Sequence, residues 1–376
     1  MKKATKSIHS GTIQDTYAGG VNSPIYVSTS HNYLDGTIRY PRANNIPNQI
    51  AVAKKVAALE NCENGLVFSS GMAAISAAFI TFLKPGDEIL MQSDIYGGSY
   101  FFTHQFLKPY GIQVTLFNGN DLDEMDQLIS NKTKLIHFET PSNPVLRITD
   151  IKKLSKIAKA HGVLTMVDNT FATPLAQNPA DLGIDVIMHS GTKYLSGHSD
   201  LINGILCGSN EIIEEILPTS IMFGATLDAR LCYELERSIK SLDVRFSKQC
   251  QNAHSIAEFL ESQEQVSKVH YPGLTSHTNH ELAKTQMKLF GAMITFELNE
   301  NIDSIQFQRK LSLISPAVSL AGIESQICSP HLTSHHLVPA NERLGMGISN
   351  QMLRFSVGCE NVEDLKVDLS RALDQI

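Results

Sequence analysis

The chain has 376 residues, 42% of them hydrophobic and 18% charged, with no tryptophan. That length exceeds one ordinary core and predicts two structural domains. Its formal charge of −7 comes from 31 basic and 38 acidic residues without long like-charge blocks, which argues against nucleic acid or a membrane surface as partner and leaves a small-molecule substrate as the default.

The opening MKKATKSIHSGTIQD has a basic flank but no apolar core after it, so it does not read as a signal peptide. Residues 1–48 are rich in Gly, Ser, Thr, Asn and Pro and read as an irregular arm. Apolar spacing then predicts a helix over QIAVAKKVAALE. The runs GLVFSS, EILMQS, IQVTLFN, KLIHFET, VLTMVDN, DVIMHS and GILCGS read as short buried strands. Helix-length segments lie between several of them, including GMAAISAAFITFL, SYFFTHQFLKPY and ITDIKKLSKIAKAHG. This alternation over 49–244 predicts an α/β domain with a mostly parallel sheet between helices. A long helix is expected from Ala225 to Leu242 and another over Ala253–Ser262. From 245 to 376 the rhythm loosens into a smaller α+β domain, with strands near GAMITFEL and LRFSVG and helices near IQFQRKLSL and VEDLKVDLSRALDQ. The longest apolar run, AAISAAFITFL, is too short to cross a bilayer. Six scattered cysteines without C-x-x-C fit a reducing compartment, so a cytoplasmic location is expected.

Two residues in the run Val163–Ser199 carry the most chemistry. Asp168 closes one apolar run, and Lys193 follows the next in Ser190-Gly191-Thr192-Lys193. The carboxyl ends of strands line the crevice of an α/β sheet, so both face one pocket. Singly, Lys193 reads as a solvated loop lysine and Asp168 as a helix cap. Together they suit a cofactor with a basic ring nitrogen and an aldehyde, the acid serving the nitrogen and the amine a Schiff base. Pyridoxal 5′-phosphate is such a cofactor.

Ser69-Ser70-Gly71-Met72 stands between a strand and a helix, where backbone N–H groups suit a phosphate; a serine cap explains it as well. No G-x-x-x-x-G-K-[ST] occurs, and GMGISN at 345–350 lacks the last glycine of a dinucleotide loop. Tyr96-Gly97-Gly98 can place a ring over a flat cofactor, or be a plain turn. Glu139-Thr140-Pro141-Ser142-Asn143-Pro144 ends another strand with polar groups and rigid prolines, where proline would hold Asn143 extended, and a plain polar turn explains it as well. Arg354, inside a strand pattern, needs an anion: a substrate carboxylate or an internal partner. His331 and His335 are four apart, but no adjacent acid completes a metal set, and no metal is expected.

In VDNTFATP, HSGTKYLSGHSD, SSGMAA, IYGG, ETPSNP, SLAGIES and LRFSVG, nearly the whole chain resembles the Cys/Met-metabolism family of pyridoxal-phosphate enzymes. These include cystathionine γ-lyase, β-lyase and γ-synthase, methionine γ-lyase and the O-acylhomoserine sulfhydrylases. The resemblance implies fold type I, aspartate-aminotransferase-like, and a catalytic set of Lys193, Tyr96 and Asp168. Lys193 matches the Schiff-base lysine, Asp168 the partner of the pyridine nitrogen, and Tyr96 the ring-stacking tyrosine. Gly71, Met72, Ser190 and Thr192 match the phosphate cradle, and Asn143 the group near the cofactor phenol oxygen. Arg354 and Ser319, with Asn143, match the substrate side. Tyr40 and Arg42 match an arm pair that enters the neighbouring subunit's phosphate site, in a homotetramer built from dimers. An amino-acid substrate and a carbon–sulfur lyase activity follow, with γ-replacement (cystathionine γ-synthase or O-acetylhomoserine sulfhydrylase) as the alternative.

The chain departs from the family where Ala43-Asn44-Asn45-Ile46-Pro47-Asn48 replaces the usual S-x-N-P-T. Phe101 and Val318 stand where enzymes of the cystathionine γ type carry an arginine and a glutamate, and Gly98 where methionine γ-lyases carry a cysteine. An apolar distal pocket is expected, suited to a short thioether.

Overall fold

Seven short runs build the main sheet because they carry few polar side chains on either face. They are β1 (Asn64–Phe68), β2 (Glu88–Gln92), β3 (Gln113–Phe117), β4 (Thr133–Glu139), β5 (Leu164–Asp168), β6 (Val186–His189) and β7 (Gly204–Gly208). The computed structural model describes residues 1–34 and 36–376. In it the strand order is β1-β7-β6-β5-β4-β2-β3. Strand β7 runs antiparallel to β1 and β6, and the other pairs are parallel. Alternate residues serve opposite faces. Leu90, Ile136, Val167, Ile187 and Ile205 face one core, with Val52 and Val56 of the helix Pro47–Glu60. Ile89, Leu135, Met166, Met188 and Leu206 face the other, with Ile75 and Phe79 of the helix Gly71–Phe82.

A second sheet holds β8 (Val266–His270), β9 (Met293–Leu298), β10 (Ser315–Pro316), β11 (Gln326–Cys328) and β12 (Met352–Ser356), in the order β10-β11-β12-β9-β8. The helices Leu242–Glu261 and Val362–Leu373 pack beside it. The first core continues through Leu235 and Phe246 to Phe296 and Leu369, so one apolar interior joins the two sheets.

Three sequence expectations are corrected. The arm is not wholly irregular: Lys3–His9 is helical, held by Lys3 and Lys6 on the carbonyls of Leu59 and Ala58. The helix expected from Ala225 begins at Ala229, because the Asp228 side chain accepts the Arg230 and Leu231 N–H groups and caps it there. The helix expected over Ala253–Ser262 is the second half of Leu242–Glu261, whose first half buries Arg245 and Gln249 against backbone carbonyls. No helix among the described residues is long and apolar enough to cross a membrane.

Candidate active site

Parallel pairing of β4, β5 and β6 brings their carboxyl ends together, and a cavity of about 530 Å³ opens there. Asp168 closes β5, and its Oδ1 accepts the Thr170 N–H at 2.9 Å. Lys193 sits in a turn after β6, with its own N–H on the Ser190 carbonyl at 3.0 Å. Both line the cavity, and among the described residues they form no ion pair with each other. The Lys193 amine donates to Ser319 Oγ at 2.8 Å. Burial, and then the Arg354 charge, lower it from 10.5 to about 8 against the opposing pull of Asp168. Burial raises the Asp168 carboxyl while Thr170, His189 and Lys193 oppose.

Gly71 and Met72 open the helix that follows β1, and both line the cavity with Ser190 and Thr192. Ser70 Oγ is spent as the cap, accepting the Ala73 N–H at 3.0 Å, so the serine-cap reading holds. The N–H groups of Gly71 and Met72 have no carbonyl one turn back within the helix and stay available to an anion. A Cβ at Gly71 would lie 3.0 Å from Ser190 Cβ and 3.1 Å from its Oγ, so a side chain there would crowd that hydroxyl and glycine lets the helix start approach it closely. A lysine, an acid and an anion-ready helix start around one cavity fit the three functional ends of pyridoxal phosphate.

Arg354 enters from β12 and is buried. Its guanidinium donates to Asn143 Oδ1 at 2.9 Å and the Ser319 carbonyl at 3.3 Å, and it reaches Cys328 Sγ at 3.4 Å. No carboxylate pairs with it among the described residues. Tyr96 also lines the cavity, its phenol pushed up by burial and then by Glu139. Val318 also lines the cavity, with Ile202 and Leu332, whereas Phe101 does not.

Tyr40 and Arg42 lie outside this chain's own cavity. Arg42 instead donates to the Ile221 carbonyl at 3.0 Å, 5.5 Å from the Tyr40 ring centre. His335 is buried with Nε2 3.2 Å from the Ile95 carbonyl and Nδ1 2.9 Å from Ser334 Oγ. It pins the 330–338 loop over the cavity, where Thr333, Ser334 and His336 line the wall. Sequence reasoning saw Glu139 only as part of a polar turn. The structure puts it on the cavity floor, with the ETPSNP motif as the available signal.

The sheet, its strand-end lysine and acid, and the helix start facing them define an α/β enzyme of fold type I. The sequence profile described as Cys/Met metabolism PLP-dependent enzyme matches residues 4–374, and the chain belongs to that family. It is 42% identical to the cystathionine beta-lyase of Lactococcus lactis subsp. cremoris, over 99% of this chain and 98% of that protein. It is 38% identical to the L-methionine gamma-lyase of Fusobacterium nucleatum, with 100% of each covered. A cystathionine gamma-lyase from Lactobacillus plantarum, crystallised with L-serine, superposes with a TM-score of 0.97 at 37% identity, covering 100% of this chain and 99% of that one.

Proposed function

We propose that the protein is a pyridoxal-phosphate-dependent carbon–sulfur lyase of sulfur amino-acid metabolism. It eliminates a thiol from cystathionine, methionine or a related thioether, leaving a 2-oxo acid and ammonia. The observation that carries this is Lys193 and Asp168 at one cavity beside the Gly71–Met72 helix start, in a chain related throughout to lyases of that kind. Gly71, Met72, Ser190 and Thr192 would hold the phosphate, Asp168 the ring nitrogen and Asn143 the phenol oxygen, with Tyr96 over the ring. When bound, the cofactor supplies an electron sink for the charge left by removal of a proton next to the substrate amine.

The chain's own residues do the rest. Lys193, lowered to about 8, holds enough neutral amine near neutral pH to take the α proton. The Tyr96 phenol keeps its proton at neutral pH and can deliver it to a departing sulfur. Arg354, whose fork lacks a carboxylate, receives the substrate's. Val318, Ile202 and Leu332 leave the outer wall apolar, which favours a short thioether arm.

We also place the chain in a cytoplasmic homotetramer of dimers, with Tyr40 and Arg42 serving a neighbouring phosphate site. Their distance from this chain's own cavity supports this, as do the exposed arm side chains Tyr17, Val21, Leu34 and Ile38 and the six free thiols. The deciding experiment is a panel of thioether amino acids assayed for oxo acid, ammonia and thiol. Pyruvate marks cleavage at the β carbon and 2-oxobutyrate at the γ carbon. Turnover confined to O-acylhomoserine with cysteine or sulfide, forming a new thioether, overturns the lyase reading in favour of replacement.

A further inference from the structure

Strands β4 and β5 run parallel, and their register pairs Glu139 with Asp168. Laterally paired residues point to the same face of a sheet, so two carboxyl groups share the cavity floor. Only Asp168 has a task in the reading above. Glu139 is 4% exposed and is more than a spare acid. Its Oε1 accepts the Tyr96 N–H at 2.7 Å, and its Oε2 accepts the Asn143 N–H at 3.3 Å. Those residues approach from different parts of the chain: Tyr96 stands at the start of the helix Gly97–Phe102, and Asn143 lies in the turn after β4. Asn143 then passes the constraint on, because its Oδ1 receives the Arg354 guanidinium at 2.9 Å.

We propose that Glu139 is a positioning residue that sets Tyr96 and, through Asn143, Arg354 from a single buried carboxyl group. The proposal rests on the cofactor-dependent reading of the site. Its electrostatics suit a fixed support. Asp168 on β5 and Asp94 after β2 repel a charge at Glu139, and Lys193 and Arg354 line the same cavity. Burial and the Asp168 charge push the Glu139 carboxyl well above the carboxylate range, against the pull of the two N–H groups. The Tyr96 and Asn143 N–H groups find oxygen lone pairs on Glu139 whether or not the carboxyl carries a proton, so the support does not depend on its charge.

The test uses the full-length, cofactor-loaded protein with Glu139→Gln and Glu139→Ala. Glutamine keeps one oxygen for the Tyr96 N–H but turns an amide NH2 toward the Asn143 N–H, donor against donor. Glu139→Gln is therefore expected to raise KM for the amino-acid substrate about tenfold with a smaller change in kcat, since the disturbed path leads to Arg354. Glu139→Ala frees both arms. It is expected to lower kcat as well and to weaken pyridoxal phosphate binding, measured by equilibrium dialysis, by roughly tenfold. Thermal melting followed by circular dichroism runs alongside. A Glu139→Gln protein that melts, binds cofactor and turns over like wild type overturns the assignment. So does one that loses only stability, since Glu139 is then packing alone. Wild-type protein that takes up no cofactor overturns the reading of the site instead, and the two failures are told apart by that single control.

Discussion

Lys193 Nζ donates a 2.8 Å hydrogen bond to Ser319 Oγ, tying the amine after β6 to the loop between β10 and β11 of the second sheet. Ser319 holds a φ of 92° and Ala321 one of 71°, backbone that costs a side-chain-bearing residue energy and persists where the surroundings fix it. The strained residue is the one whose hydroxyl meets the amine. Lys193→Ala is expected to lower activity by at least about 10³-fold and to abolish the cofactor adduct that borohydride fixes to wild type, read by mass spectrometry. Ser319→Ala keeps the adduct and loses about tenfold in kcat/KM, as the amine loses its Ser319 Oγ acceptor.

The lowered Lys193 pKa sets a pH at which the amine becomes a nucleophile. In protein stripped of cofactor, the rate of adduct formation with added pyridoxal phosphate should rise with pH and level off above about 8, rather than climbing toward 10.5. Arg354 is the second cause of the shift, so Arg354→Met should move the plateau to higher pH. Stopped-flow absorbance across pH 6 to 10 reads both; a rate still rising at the top of that range contradicts the burial argument.

Arg354 is buried with two oxygen contacts and, among the described residues, no carboxylate partner. Arg354→Lys keeps the charge but not the planar fork, so KM should rise roughly 10- to 100-fold while kcat changes little. An equal effect on a substrate amide would show that the arginine is structural. The comparison of carboxylate and amide substrates therefore carries the test.

Gly97 lies against the loop that closes the cavity. A Cβ there would fall 2.1 Å from the Ser334 carbonyl oxygen, which is backbone and cannot swing aside. Gly97→Ala should push the 330–338 loop off the Tyr96 turn, costing about 2 kcal/mol and lowering kcat/KM. Hydrogen exchange at Thr333–His336 should rise in the variant, and unchanged exchange would refute the contact.

The main sheet was legible because its strands are buried on both faces: EILMQ has no exposed residue, and turns bound it sharply. The strand VSKVH in the second sheet was not, since Ser267 and Lys268 face solvent and dilute the apolar signal. The helix Asn210–Phe223 carries Pro218 inside it and only Ile213, Ile216 and Ser220 buried, so its pattern is weak. For the site, Asp168 and Lys193 could be read from strand ends, because chain order alone places them. Glu139 could not be read as part of the site. Its meaning depends on the β4–β5 register and on two backbone N–H groups, one from Tyr96 far off in the chain and one from Asn143 folded back in the turn that follows. The expected apolar distal wall met a split outcome. Val318 reaches the cavity, while Phe101 turns outward on its helix and is 43% exposed.

His137 on β4 supplies a last prediction, away from the site. It is fully buried, with its ring centre 5.1 Å from that of Phe79 in an edge-on arrangement, and neither ring nitrogen meets the geometry of a full hydrogen bond among the described residues, the Met166 backbone giving only a weak opposing pull on its proton. Burial lowers it from 6.5 to about 4, and it lowers His277 and His335 similarly. Between those values the unfolded chain binds protons that the folded chain refuses. Stability is therefore whole above pH 6.5 and falls as pH drops toward 4. For His137 the loss across that window is roughly 3 kcal/mol. His137→Leu removes the titrating ring at similar volume, so its stability should match wild type at pH 7 within about 1 kcal/mol and exceed it at pH 5. Urea midpoints at the two pH values measure the difference. Parallel curves for the two proteins would mean that His137 takes up its proton without cost, and the buried ring could not then be the source of acid sensitivity.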